Sequence, residues 1–162
     1  MNTVYLLTGG NVGNRLQNLR EAAEMIGATC GKITGASSIY ETAAWGKADQ
    51  AAFLNQALEL STPLDAAPLM QRLLHIEELL GRVRTEKYGP RSIDIDILLF
   101  NNLVLNSPFL EIPHPRMAGR RFVLEPLNEI AGDLVHPVLL LPVSTLLAQC
   151  PDPLPVKKFS AA

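Results

Sequence analysis

Apolar and polar positions alternate with period two in residues 4–8, 32–40, 51–60 and 92–100, and recur with a period near 3.6 in longer runs between them. The first strand ends in Gly9-Gly10-Asn11, which reads as a tight turn. Asn14 then caps a helix with the stripe Leu16, Leu19, Ala23 and Ile26, closed by Gly27. The second strand, 32–40, puts Ile33 and Ile39 on one face and Ser38 and Tyr40 on the other; residues 41–50 follow as a polar loop carrying Trp45. In the third strand, Phe53, Asn55, Ala57 and Glu59 share one face, and Leu54, Leu58 and Leu60 share the other with Gln56. A second helix covers 65–81, with the stripe Leu69, Leu73, Ile76 and Leu80, Pro68 in its first turn and Gly81 as its stop. Residues 82–88 are charged and short of apolar anchors, the composition of a mobile loop. After Gly89-Pro90 comes a strand in which Ile93, Ile95, Ile97 and Leu99 face the core, alternating with Asp94, Asp96 and Leu98. Asn101-Asn102 reads as a hairpin turn, 103–105 as a short return strand, 122–131 as an apolar helix, and 151–162, with three prolines, as a loosely attached tail.

Adjacent strands between helices predict an α+β fold with a mainly antiparallel sheet, not a doubly wound parallel one. A chain of 162 residues, 48% hydrophobic, fits one domain with a substantial core. A net charge of -2 argues against generic binding to nucleic acid or an anionic membrane, so the arginines are expected to act locally. The start MNTVYLLTGG lacks the basic opening and long apolar core of a signal peptide, and no apolar run approaches a membrane span. Cys30 and Cys150 lack metal-ligand spacing and read as idle thiols of a cytoplasmic protein.

The chemistry gathers at YGPRSIDIDILLF. Asp94 and Asp96 project from one strand face, their backbone positions roughly 7 Å apart, and would repel one another unless a cation were shared. A hard ion such as Mg²⁺ would relieve that repulsion and leave positions open for phosphate oxygens. An acidic pair alone is most often a solvated strand face. Here it is flanked by Arg82, Arg84, Arg91, His114, Arg116, Arg120 and Arg121, and guanidiniums are the usual partners of phosphate. The combination points to nucleotide phosphate.

The run GPRSIDIDILLF resembles the signature of the 6-hydroxymethyl-7,8-dihydropterin pyrophosphokinase family, enzymes of folate synthesis. LTGGNVGN, ETAAWG, FLNQAL, GRVR and PHPRMAGRRFVLEPLNEIA extend the likeness in the same order, from about residue 4 to about residue 138. The resemblance implies a ferredoxin-like fold with a single pyrophosphokinase domain at 1–150 and the Pro-rich tail at 151–162. It implies transfer of diphosphate from ATP to the pterin hydroxymethyl group, with a pair of Mg²⁺ ions on Asp94 and Asp96, by a monomer acting on small molecules. It makes Phe53 and Phe122 the aromatics of a pterin sandwich, Asn55 the reader of the ring edge, and Thr42 and Trp45 suppliers of backbone contacts. Arg82 and Arg91 join the aspartates in catalysis, and Arg84, Tyr88, Ile97, His114, Arg116 and Arg120 serve ATP. Arg121 is expected to be surface charge. Glu77 is open between a solvated helix face and a carboxylate near the nucleotide. Gly10 stands where relatives often carry serine. The residues alone also leave room for a nucleotide sensor or a metal-dependent phosphohydrolase, neither of which has reason to carry Phe53 and Asn55 alongside Phe122.

Overall fold

The computed structural model of the protein describes residues 1–43, 51–81 and 92–160. In chain order these form β1 (Asn2–Gly10), α1 (Arg15–Thr29), β2 (Lys32–Ala36), β3 (Tyr40–Thr42), β4 (Phe53–Thr62) and α2 (Ala66–Leu79). There follow β5 (Asp94–Phe100), β6 (Leu105–Asn106), β7 (Glu111–Ile112), α3 (Arg121–Ala131), α4 (Val143–Ala148) and β8 (Val156–Lys158). A six-stranded sheet runs β5-β1-β4-β3-β8, with β2 also on β4, and all of its pairings are antiparallel. The expected α+β architecture stands. Strand parity explains the layers: Val4, Leu6, Leu54, Leu58, Ile93, Ile95 and Ile97 pack under α1 and α2, while Tyr5, Leu7 and Leu99 meet α3 and α4.

Several local expectations change. Gly27 does not stop α1, which continues to Thr29, and the helix is started by Asn14 Oδ1 accepting from Gln17 N at 3.1 Å. Residues 32–40 are not one strand. Ser37 Oγ accepts from Ala57 N at 2.9 Å and so replaces a backbone partner, which splits the run into β2 and β3. Gly9 and Gly10 belong to β1, opposite Asn55 and Leu54, and do not form a turn. In β5 the register jumps from Leu99 opposite Tyr5 to Ile97 opposite Leu6, so a bulge at Leu98 sends Leu99 to the α3 face, away from the isoleucines. The chain after Asn101-Asn102 does not return along β5; Leu105–Asn106 instead pairs with Glu111–Ile112 in a separate ladder. The Pro-rich end is not loose, because β8 adds to β3 as an edge strand. Both cysteines are buried and free. Among the described residues no helix is long and apolar enough to cross a membrane.

His136 closes the turn before α4. Its Nδ1 accepts from Val138 N at 3.2 Å and Leu139 N at 3.0 Å, and burial holds its pKa below the ordinary histidine value. The unfolded chain therefore takes up this proton before the folded one does. Its contribution to stability is flat above about pH 6.5 and falls as the pH drops below it, as does that of His114, whose pKa is also depressed. His136→Gln is expected to flatten part of that decline, read as the change in urea midpoint between about pH 7.5 and about pH 5. An unchanged slope would remove His136 as a source of it.

Candidate active site

The end of the α3 face where β1 stops and β4 and β5 begin is a pocket lined by Leu7, Gly9, Thr42, Ala43, Phe53, Asn55, Asp94, Asp96, Arg120 and Phe122. Antiparallel register makes the convergence: Gly9 lies opposite both Asn55 and Asp94, so three strands bring these residues side by side. Asn55 is buried, yet Gly9 leaves room for its side chain, because a Cβ there would collide with Asn55 Oδ1. Thr42 reaches the pocket through the Thr42–Phe53 pairing of β3 and β4. Arg120 and Phe122 flank the first residue of α3, with the Arg120 guanidinium 5.6 Å from the centroid of the Phe122 ring. The lining thus combines aromatic and amide groups with an acidic pair and a cation, the last set against the Phe122 ring.

The outer edge of β5 is held by side chains and a loop in place of another strand. Glu77 Oε2 accepts from Ile95 N at 2.6 Å, and His114 N donates to Leu98 O at 2.9 Å. Glu77 is 3% exposed, so it is not part of a solvated helix face. Instead it fixes the backbone between Asp94 and Asp96. Losing a buried acceptor costs about 1–3 kcal/mol, so Glu77→Ala is expected to lower Tm by roughly 2–12 °C. Glu77→Gln, which keeps an acceptor, should recover most of that. Equal melting of the two variants would rule out this hydrogen bond as the reason.

His114 Nδ1 accepts from Arg116 N at 3.2 Å, which leaves the proton on Nε2. Burial and then the charge of Arg120 push its pKa down to about 4, with Asp94 opposing and Arg116 assisting. At neutral pH it offers a donor and no charge. Arg116 is exposed beside it. Ile97 is buried in the core under α1 and α2, so any contact from it to a nucleotide would come from its backbone. Arg121 is not idle surface charge: its Nε donates to Asp152 O at 3.1 Å and its guanidinium to Cys150 O at 3.2 Å. Trp45, Arg82, Arg84, Tyr88 and Arg91 lie outside the described residues.

Among the described residues no cluster of three or more His, Cys, Asp and Glu side chains could hold a metal. Asp94 and Asp96 offer a two-carboxylate donor set. That set fits Mg²⁺, which is commonly held by one or two carboxylates with phosphate oxygens and water completing the shell.

A family model described as 7,8-dihydro-6-hydroxymethylpterin-pyrophosphokinase (HPPK) matches residues 5–132. The chain is similar to the 2-amino-4-hydroxy-6-hydroxymethyldihydropteridine pyrophosphokinase of Bacillus subtilis, 45% identical over 130 residues that cover 80% of this chain and 78% of that protein. It is 40% identical over 149 residues to the folic acid synthesis protein fol1 of Pneumocystis carinii, covering 92% of this chain but spanning only 20% of that protein's length. The fold matches a crystal structure of Plasmodium falciparum HPPK-DHPS with pterin and p-hydroxybenzoate at a TM-score of 0.74 and 20% identity, covering 91% of this chain and 43% of that one.

Proposed function

The chain belongs to the 7,8-dihydro-6-hydroxymethylpterin-pyrophosphokinase family, and from that premise we propose that it transfers diphosphate from ATP to 6-hydroxymethyl-7,8-dihydropterin in the cytoplasm, as a monomer and as a step of folate synthesis. The observation that carries this reading is the convergence of Phe53, Asn55, Phe122, Asp94, Asp96 and Arg120 on one pocket. A flat heterocycle with an amide-like edge needs apolar faces and a group that both donates and accepts, which Phe53, Phe122 and Asn55 supply. Thr42 lines the ring site from β3, and Trp45, outside the described residues, would supply the further backbone contact that the family resemblance implies.

The pterin hydroxyl oxygen attacks the β-phosphorus of ATP. An O–P bond forms, the bond between the α,β-bridging oxygen and the β-phosphorus breaks, and AMP leaves with that oxygen. The hydroxyl proton passes to a carboxylate of the acidic pair. Such a transfer depends on in-line positioning and charge neutralisation more than on covalent catalysis. Asp94 and Asp96 would hold a pair of Mg²⁺ ions, which supply Lewis-acid stabilisation of the phosphate oxygens. Arg120, Arg82 and Arg91 meet the charge that grows on the transferred group and on AMP. Arg84, Tyr88, His114, Arg116 and the backbone of Ile97 bind ATP, with His114 acting as a neutral donor.

The test is incubation with ATP, Mg²⁺ and 6-hydroxymethyl-7,8-dihydropterin, with the products followed by chromatography. AMP is expected only when the pterin is present. ADP or inorganic phosphate released without it would replace this reading with a phosphohydrolase.

A further inference from the structure

The match to the family model ends at residue 132, yet the chain beyond it returns to the elements that carry the pocket, α3 and β3. We propose that residues 151–159 are a strap that positions both walls of the ring site, with Asp152 as its positioning residue; this rests on the pterin reading of that pocket. Asp152 is 4% exposed. Its Oδ2 accepts from Arg121 N at 3.1 Å and its Oδ1 from Leu154 N at 3.0 Å. A carboxylate so far from water needs such donors, and here one of them is the first backbone N–H of α3. Arg121 is therefore clamped through both backbone and guanidinium, and it stands between Arg120 and Phe122.

Further along, the strap holds the opposite wall. Pro155 O accepts from Thr42 Oγ1 at 3.1 Å, and β8 then pairs with β3 from Thr42–Val156 to Tyr40–Lys158. Phe159 N donates to Ile39 O at 2.8 Å, and its ring lies 5.6 Å from the Arg15 guanidinium carbon. The same guanidinium donates to Glu41 Oε2 at 2.7 Å and to Ala52 O at 2.9 Å, beside Phe53. The strap thus ties the α3 entry, the end of β3 and the start of β4 into one frame, and none of its residues lines the pocket itself.

The experiment compares wild type, Asp152→Ala and Asp152→Asn for kcat and for the KM of each substrate. Thr62→Val serves as a stability control at the far end of the sheet, where it removes a hydrogen bond to Cys30 O. Loss of the clamp displaces Phe122 and, with it, Arg120, so Asp152→Ala is expected to raise the pterin KM about tenfold and, through Arg120, to raise the ATP KM by a smaller factor. Asp152→Asn, which keeps one acceptor for the two N–H groups, should restore the pterin KM in part, and Thr62→Val should lower Tm without moving it. An unchanged pterin KM in Asp152→Ala, or an equal rise in Thr62→Val, would overturn the strap. If Asp152→Ala does not fold, Arg121→Met severs the side-chain half of the clamp and must raise the pterin KM in the same direction; a flat value there overturns the proposal. Wild type that forms no pterin-dependent AMP removes the functional reading beneath it, whereas an active wild type with no effect in the variants removes the strap alone.

Discussion

Asp96→Ala is expected to turn over at less than about one thousandth of the wild-type rate while melting close to wild type. The two halves of that result come from opposite faces of β5. On one face Ile93, Ile95 and Ile97 are buried under α1 and α2, and Asp96 has no part in that packing. Alanine is a poorer strand residue than most, but the scale spans only about 1 kcal/mol, and removing one of two neighbouring carboxylates relieves repulsion. The fold therefore survives. On the other face Asp96 lines the pocket beside Asp94. Metal-borne stabilisation of a phosphoryl transition state is worth several kcal/mol, and roughly 4 kcal/mol corresponds to about a thousandfold in rate. Pterin affinity without nucleotide should change by less than about threefold, because the ring site is built on Phe53, Asn55 and Phe122. Asp96→Asn should be nearly as inactive as Asp96→Ala, since an amide keeps the size and loses the charge. Wild-type-like AMP formation in Asp96→Ala would end the metal assignment, and a collapsed Tm would show that the aspartate belongs to the fold.

Sequence periodicity revealed the parts of the fold that repeat and hid the parts that break. The strands β1, β4 and β5, the helices α1 and α2 and the α+β class followed from alternation and apolar stripes. The bulge at Leu98 did not, because Leu98, Leu99 and Phe100 are all apolar and a strand buried on both faces carries no parity signal. The break at Ser37 depends on a hydroxyl finding Ala57 N across the sheet, a contact distant in sequence. Glu77 carries a legible signal: it stands four residues after Leu73, on the apolar stripe, and an acid at such a position asks for a buried donor. The pocket was legible as a set of residues because the acidic pair and the Phe53–Asn55 pair each sit on one strand face. Its frame was not. Asp152, Arg121 and Arg15 act through backbone carbonyls and N–H groups, and a sequence does not display those.

Gly9→Ala is expected to weaken pterin binding about 100-fold while lowering Tm by only a few degrees. Gly9 sits between Asn55 on β4 and Asp94 on β5. An added Cβ would collide with Asn55 Oδ1, and would stand 3.1 Å from Asn55 Cγ and 3.2 Å from Leu54 O. Either the strand or the side chain must yield. Shifting β1 would disturb pairings along nine positions with β4, whereas moving Asn55 off its rotamer costs about 0.5–1.5 kcal/mol. Asn55 moves. The amide then no longer meets the ring edge, and a polar edge buried without its partner loses about 1–3 kcal/mol, near 100-fold at the upper end. ATP affinity should stay within about twofold, because the nucleotide residues lie on β5 and on the 82–91 and 113–120 segments. The decisive measurement is a double-mutant cycle with Asn55→Ala, read by titrating the pterin into each variant. With the amide already removed, Gly9→Ala has little left to displace, so its added cost should fall to a few-fold or less. An equal cost in both backgrounds would mean that the methyl acts through β1 itself and that Asn55 is a bystander.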